Sequence, residues 1–241
     1  MSEHLISVVI PARNERRLVS LTLDHVLRAA QRVGSDDCEV IVVDNASSDG
    51  TWEVLQEYTT HPSVRTYQLA CLGAARARNF GRKQASGRIL VFLDADTHIP
   101  ADALMRIVKH CEEHGIEAGI VRLAGLNGGL RSLIWWSFWE HVRRLPLSHA
   151  KAMPAFMFCT SVVFDEFGPF DEDVAIGEEW PILAGLFRSR PRCFLYDRSL
   201  TARTSSRRME QQAFGYLRTF LKYVWAILHR SGRLHYTDRF R

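Results

Sequence analysis

The chain has 241 residues, 46% of them hydrophobic and 24% charged, with a formal net charge of +4 and a sequence pI near 8.9. Such a chain can bury a sizeable core as one domain. The mild positive charge suits an anionic substrate or an anionic membrane surface, falls short of a nucleic-acid binder, and no uninterrupted apolar run is long enough to span a bilayer.

Met1-Ser-Glu-His is short and polar, and the apolar run Leu5–Ile10 is too brief for a secretory signal, so a cytoplasmic location is expected. Leu5–Ile10 instead reads as a first central strand that stops at Pro11. Leu18–Val33 carries Leu18, Leu21, Val26, Leu27 and Ala30 at helical spacing and ends before Gly34. Glu39–Val43 is a second strand that runs into the turn-rich Asp44-Asn-Ala-Ser-Ser-Asp-Gly50, where Ser48 or Asp49 can cap a helix from Thr51. Val64–Leu69 is a third strand. Gly73–Gln84 is a helix whose Arg76, Arg82 and Lys83 read as a solvated face. The five cysteines, Cys38, Cys71, Cys111, Cys159 and Cys193, show no metal-ligand spacing and are expected as buried free thiols of a reducing compartment.

The most informative stretch follows. Ile89–Leu93 is apolar throughout and runs into Asp94-Ala-Asp96. A continuous apolar run of this length suits a strand buried on both faces. In open α/β sheets ligands bind beyond the carboxyl ends of the strands. Two carboxylates there make a seat for a hard divalent cation such as Mg2+ or Mn2+, or serve as turn and cap residues. Helix Ala101–His114 and strand Ala118–Leu123 follow, after which the strand–helix alternation weakens from Gly125. Short β-α links throughout predict an α/β fold with a parallel sheet and crossover helices.

Four motifs then occur in order, each at a strand end: Val8-Val-Ile-Pro11-Ala-Arg-Asn-Glu15, Val42-Val-Asp44-Asn-Ala-Ser-Ser-Asp49-Gly-Thr51, Gly73-Ala-Ala-Arg-Ala-Arg78-Asn79-Phe-Gly81 and Leu93-Asp94-Ala-Asp96. The chain resembles the GT-A-fold, family 2 type glycosyltransferases, strongly over about Leu5–Thr97 and more loosely through Phe167–Glu172 and Gly177–Trp180. The resemblance implies a three-layer α/β sandwich, Rossmann-like, with a mostly parallel central sheet. It implies one domain over residues 1–241, with a nucleotide-sugar half to about 124 and an acceptor half from about 125 that ends in an amphipathic helix.

The resemblance also implies residue roles. Asp96 would ligate Mg2+ or Mn2+, with Asp94 beside it on the ribose or a metal-bound water, and Ala95 between them in the donor site. Asp44 would accept a hydrogen bond from a base N–H. Pro11, Ala12 and Glu15 would line the nucleoside pocket, and Arg78 would approach the nucleotide; Glu15 can equally be a helix-start acid. In the acidic pair of Gly177-Glu178-Glu179-Trp180, Glu179 would be the general base of an inverting transfer from a nucleotide-diphosphate sugar to an acceptor hydroxyl on a glycan or lipid-linked molecule, with Glu178 its understudy. Asp is the commoner residue there, and the other reading is two acids in a first helical turn.

A last core strand is expected at about Arg192–Tyr196, and Thr204-Ser-Ser-Arg207-Arg208 could meet the diphosphate or stay on the surface. With no His between His149 and His229, the third protein ligand of the cation is absent or not a His. Leu130–Leu145 and Phe214–Arg230 are aromatic and basic, fit to pack on the core or to lie peripherally on the cytoplasmic membrane face. Two other readings stay open: a non-catalytic membrane-surface or assembly module, and a sugar-nucleotide pyrophosphorylase, which would want a glycine-rich basic loop in place of Pro11-Ala-Arg-Asn-Glu15.

Overall fold

A computed structural model of the chain describes residues 4–126, 129–145, 155–174, 176–212 and 214–229, with backbone alone at Arg208 and at 226–229. Chain order is β1 (Ile6–Ala12), α1 (Val19–Val33), β2 (Cys38–Asn45), α2 (Thr51–Gln56), β3 (Val64–Leu69), α3 (Ala74–Gln84), β4 (Ile89–Leu93), β5 (Thr97–His98) and α4 (Ala103–His114). It continues with β6 (Ala118–Gly125), α5 (Leu130–Arg144), β7 (Phe156–Thr160), α6 (Ser161–Phe167), α7 (Trp180–Ser189), β8 (Phe194–Thr204), α8 (Arg207–Glu210) and α9 (Gly215–His229).

Among the described residues the strands form one sheet in the order β3-β2-β1-β4-β7-β6-β8-β5. The pairings β1–β2, β1–β4, β2–β3 and β6–β8 are parallel, and β4–β7, β6–β7 and β5–β8 antiparallel. Period-two alternation divides each central strand between two cores. Val8, Ile10, Ile89, Val91 and Leu93 face α1 and α4, while Val9, Leu90 and Phe92 face α3, α6 and α7. Helices on both sides explain why residues 8–10 of β1, residues 40–43 of β2 and all of β4 are apolar without interruption. The expected three-layer α/β sandwich is the observed one.

Strand order reverses at β1, which has β2 on one side and β4 on the other. That reversal opens a crevice at the carboxyl ends of these strands. Helix α3 lies close enough to bring Arg78 there because Gly81 lacks a side chain: a Cβ would stand 2.4 Å from Val9 Cγ1.

Two strands depart from the expectation. β7 supplies the antiparallel neighbour of β4, pairing Leu93 with Phe156, inside a stretch where no further strand was foreseen. β8 runs on to Thr204 rather than ending near Tyr196. Its register on β6 shifts between Val121 and Arg122, and Asp197 fills the irregularity by accepting from the Ser199 and Leu200 N–H groups. Cys71 is exposed, against the expectation of buried thiols, whereas Cys38 and Cys159 are buried. Arg82 also departs from its solvated-face reading: its side chain is 19% exposed, pairs with Asp165 at 3.1 Å and lies over the Phe164 ring.

Candidate active site

The crevice holds two neighbouring groups of side chains. The first sits at the ends of β1 and β2. Pairing in register sets Pro11 beside Val43 and Ala12 beside Asp44. Asp44 is fully buried. Its Oδ2 accepts only a long bond from the Ser47 N–H, 3.4 Å, and its Oδ1 has no partner among the described residues. A buried oxygen without a donor is destabilising, by roughly 1–3 kcal/mol, unless something else supplies one. The loop around it is fixed by its neighbours: the Asn14 N–H donates to Ser47 Oγ, and the Ser48 N–H donates to Asn14 Oδ1. Asp49 accepts from the Thr51 N–H and hydroxyl, so it shapes the turn into α2 as expected.

Glu15 is also buried here, and Arg207 Nη2 donates to its Oε2 at 2.8 Å. The Glu15 N–H donates to Thr51 Oγ1. The Leu18 and Val19 N–H groups donate to the Glu15 backbone carbonyl, so Glu15 also stands where the chain turns into α1. Arg207, one of two arginines expected at a diphosphate or on the surface, gives its Nη2 to this carboxylate. The side chain of Arg208, and Arg230, lie outside the described residues.

The second group lines a cleft of about 340 Å³. Arg78, Asp94, Asp96, Glu178 and Glu179 all reach it, from α3, the end of β4 and the start of α7. Arg78 is buried and forked: Nη2 donates to Asp94 Oδ1 at 2.6 Å, and Nη1 donates to Glu178 Oε1 at 2.5 Å. The Phe170 ring backs the guanidinium. Burial by itself would make Arg78 easier to deprotonate, but Asp94, Glu178 and Glu179 outweigh it and hold the cation more firmly than usual.

The Asp94-Ala-Asp96 turn is fixed from three directions. The Asp94 N–H donates to Ala155 O, Thr22 Oγ1 donates to Ala95 O, and the Ser205 N–H donates to Asp96 O. Ala95 is thus a buried pivot between the two acids. Asp96 Oδ1 accepts from Thr204 Oγ1 at 3.3 Å. Asp96, Thr204, Ser205 and Ser206 all line the cleft. Oxygen donors of this kind suit Mg2+ or Mn2+, and a site of one or two carboxylates completed by substrate phosphates is ordinary for Mg2+. Among the described residues no three His, Cys, Asp or Glu side chains gather as a closed metal cage. Asp94 Oδ1 is engaged by Arg78, and Asp96 Oδ1 by Thr204.

Glu179 is the residue before α7, and the Ile182 and Leu183 N–H groups donate to its backbone carbonyl. Gly177, at φ 84°, makes the turn that presents the pair.

Sequence reasoning missed the far wall. Trp135 and Trp136 of α5 and Thr219 and Tyr223 of α9 line the same cleft. Ser206 ties this wall in, bonded to Ser132 Oγ at 3.0 Å and to the Trp136 indole N–H at 3.1 Å. Burial, then the nearby Glu179, Glu178 and Asp94, push the Tyr223 hydroxyl well above its ordinary pKa, so it stays neutral. The signal was present in the helical spacing of these aromatics, but spacing does not say which rings face a cleft.

The sequence profile described as "Glycosyl transferase family 2" matches residues 7–164, well over half of the chain. The chain belongs to glycosyl transferase family 2. Among curated relatives it is 25% identical over 179 residues to the poly(ribitol-phosphate) beta-N-acetylglucosaminyltransferase TarS of Staphylococcus aureus, covering 72% of this chain and 30% of TarS. It is 31% identical over 177 residues to the glycosyltransferase AglE of Haloferax volcanii, covering 71% of this chain and 58% of AglE. The chain thus spans about a third of TarS and somewhat over half of AglE. Among solved structures, a Pyrobaculum calidifontis mannosyltransferase in complex with GDP-Man and Mn2+ superposes with a TM-score of 0.70 at 21% identity, over 95% of this chain and 64% of the other. TarS residues 1–349 give 0.62 at 18% identity, over 94% and 66%. These superpositions show the shared GT-A fold.

Proposed function

We propose that this family 2 member transfers a sugar from a nucleotide-diphosphate donor to an acceptor hydroxyl, with inversion and with the help of Mg2+ or Mn2+. The observation that carries the reading is the convergence of Arg78, Asp94, Asp96, Glu178 and Glu179, 101 residues apart at the extremes (179 − 78), in one cleft, with the orphaned Asp44 oxygen two strands away at the same edge of the sheet. Residues to about 124 bind the donor, and those from about 125 present the acceptor.

Asp44 Oδ1 accepts an N–H of the nucleobase, which supplies the donor that the protein itself lacks. Pro11, Ala12 and the Glu15–Arg207 pair wall the nucleoside. Asp96 would hold the cation with hydroxyl and diphosphate oxygens, and a cation bound there offsets charge on the departing diphosphate. Arg78 adds a fixed positive charge at the same place, pre-positioned by two carboxylates. The acceptor oxygen attacks the anomeric carbon from the opposite face, the bond from that carbon to the diphosphate oxygen breaks, and the acceptor proton passes to Glu179. Glu178 is the poorer base because its Oε1 is already bonded to Arg78 Nη1.

The acceptor is a hydroxyl of a glycan or of a lipid-linked saccharide. A relative 31% identical over 94 residues is the Escherichia coli UDP-Glc:alpha-D-GlcNAc-diphosphoundecaprenol beta-1,3-glucosyltransferase WfaP. No helix among the described residues is long and apolar enough to cross a membrane.

Calorimetric titration with UDP-, GDP- and dTDP-sugars, each with and without Mn2+, tests the donor site. One nucleotide class binding in a metal-dependent way, with Asp96→Ala abolishing the metal dependence, supports it. Full activity of Asp96→Ala removes the metal assignment.

A further inference from the structure

Twelve large hydrophobic side chains are exposed among the described residues. Leu21, Met105 and Val162 are scattered; the other nine lie at 130–145 and 214–225, on α5 and α9 or at their ends. Scattered apolar residues are normal at a surface, whereas a contiguous set marks an interaction site.

The two helices form one unit. Trp135 meets Tyr216 at 5.6 Å, Phe138 meets Phe220 at 5.5 Å and Trp139 meets Tyr223 at 5.5 Å between ring centroids. That seam consumes the inner faces, and both outer faces stay apolar: Leu130, at 72%, and Leu133, at 67%, on α5, and Leu217 and Leu221 on α9. The same rings line the cleft on the inside through Trp135, Trp136 and Tyr223. The exposed face and the acceptor wall are therefore two sides of one helix pair.

Charge selects the occupant. Helix α9 contains no acidic residue, and the one acid of α5, Glu140, is buried under Tyr196 and Arg144. Arg131, Arg144 and Arg218 are exposed around the apolar residues. A twofold contact between two copies would set these cations against each other. An anionic lipid surface complements both the apolar face and its basic rim.

We propose that the α5–α9 face is a docking surface for an anionic bilayer, set so that the cleft wall lies at the lipid headgroups. The proposal rests on the lipid-linked acceptor reading above and names where that acceptor is met. Docking needs no membrane-spanning segment: the leucines enter the interface and the arginines meet the headgroups.

The full chain and Leu133→Glu/Leu217→Glu are sedimented with vesicles of phosphatidylcholine alone and with about 30% phosphatidylglycerol, at low and high salt. The expected result is binding to the anionic vesicles, weakened by salt, and about tenfold weaker in the variant. Circular dichroism checks that the variant folds, and Arg131→Glu/Arg218→Glu repeats the test without touching the apolar residues. Donor titration on the same samples separates the two readings, since donor binding without vesicle binding overturns only the docking. Equal vesicle binding by the variants, no binding to any vesicle, or a dimer that the leucine variant dissociates would each overturn it.

Discussion

Strand β2 carries a buried carboxylate at each end, and the protein treats them in opposite ways. Glu39, at the start, accepts from Ser7 Oγ at 2.6 Å, from the Ser86 N–H at 2.6 Å and from Ser86 Oγ at 2.9 Å, and it pairs with Arg65. Asp44, five residues on, has one long bond and one oxygen with no partner among the described residues. Both are acids with almost no exposure on the same rigid strand. The difference is where the strand end lies. The amino end is closed by the α-β connection from α1, so an acid there survives only when the fold itself satisfies it. The carboxyl end opens on the crevice, where the donor proposed for the unsatisfied acid is a ligand.

The largest effect expected on the open end is chemical. Glu179→Gln should lower kcat about 10²–10⁴-fold while donor affinity changes little, measured by steady-state rates beside donor titration. An equal loss of kcat and donor affinity would make Glu179 a binding residue. Arg78→Lys comes next. A point charge cannot serve Asp94 and Glu178 together as the planar fork does, so kcat/KM should fall about ten- to a hundredfold. Wild-type kcat/KM would show that the fork is not used.

On the closed end the currency is stability. Glu39→Gln should lower unfolding free energy by about 1–3 kcal/mol, because Ser7 and Ser86 lose a charged acceptor. The exposed Arg65 adds little to that figure. Urea unfolding measures it, and donor affinity should stay the same. The smallest effect is a pH dependence at Asp197. Burial opposes ionisation there, but the bonds from Ser199 and His110 and the charge of Arg106 hold its carboxyl below the usual range. A carboxylate with a depressed folded pKa stabilises fully above its unfolded value, about 3.9, and that contribution is lost as pH falls through the folded value. Asp197→Asn should therefore flatten the acid limb of a stability-against-pH series below about pH 4.

The same contrast explains what could be read from the sequence. β1, β2 and β4 were legible because they are apolar runs that end abruptly in Pro11, Asp44 and Asp94. α3 was legible from its bounds, yet its arginines were not: Arg82 has the composition of a solvated residue, and only the fold brings Asp165 and Phe164 to it. Phe156–Thr160 escaped because an antiparallel strand between loops carries no β-α alternation. The length of β8 was hidden by Asp197-Arg-Ser199, which reads as a loop and is a bulge satisfied from within. In the site, the acids were visible at strand ends, but their partners were not. Arg207 lies 192 residues from Glu15, and Tyr223 lies 44 residues from Glu179 (223 − 179), so their approach is a tertiary fact.

The most direct test of the open-end account is a donor titration of Asp44→Asn. Its side-chain oxygen should turn to the Ser47 N–H, which leaves an amide N–H facing the N–H of the base. Two donors facing each other should weaken donor binding about ten- to a hundredfold, with thermal stability held or raised. Wild-type affinity in a folded Asp44→Asn protein would contradict the account, because the orphaned oxygen would then belong to the fold and not to a ligand.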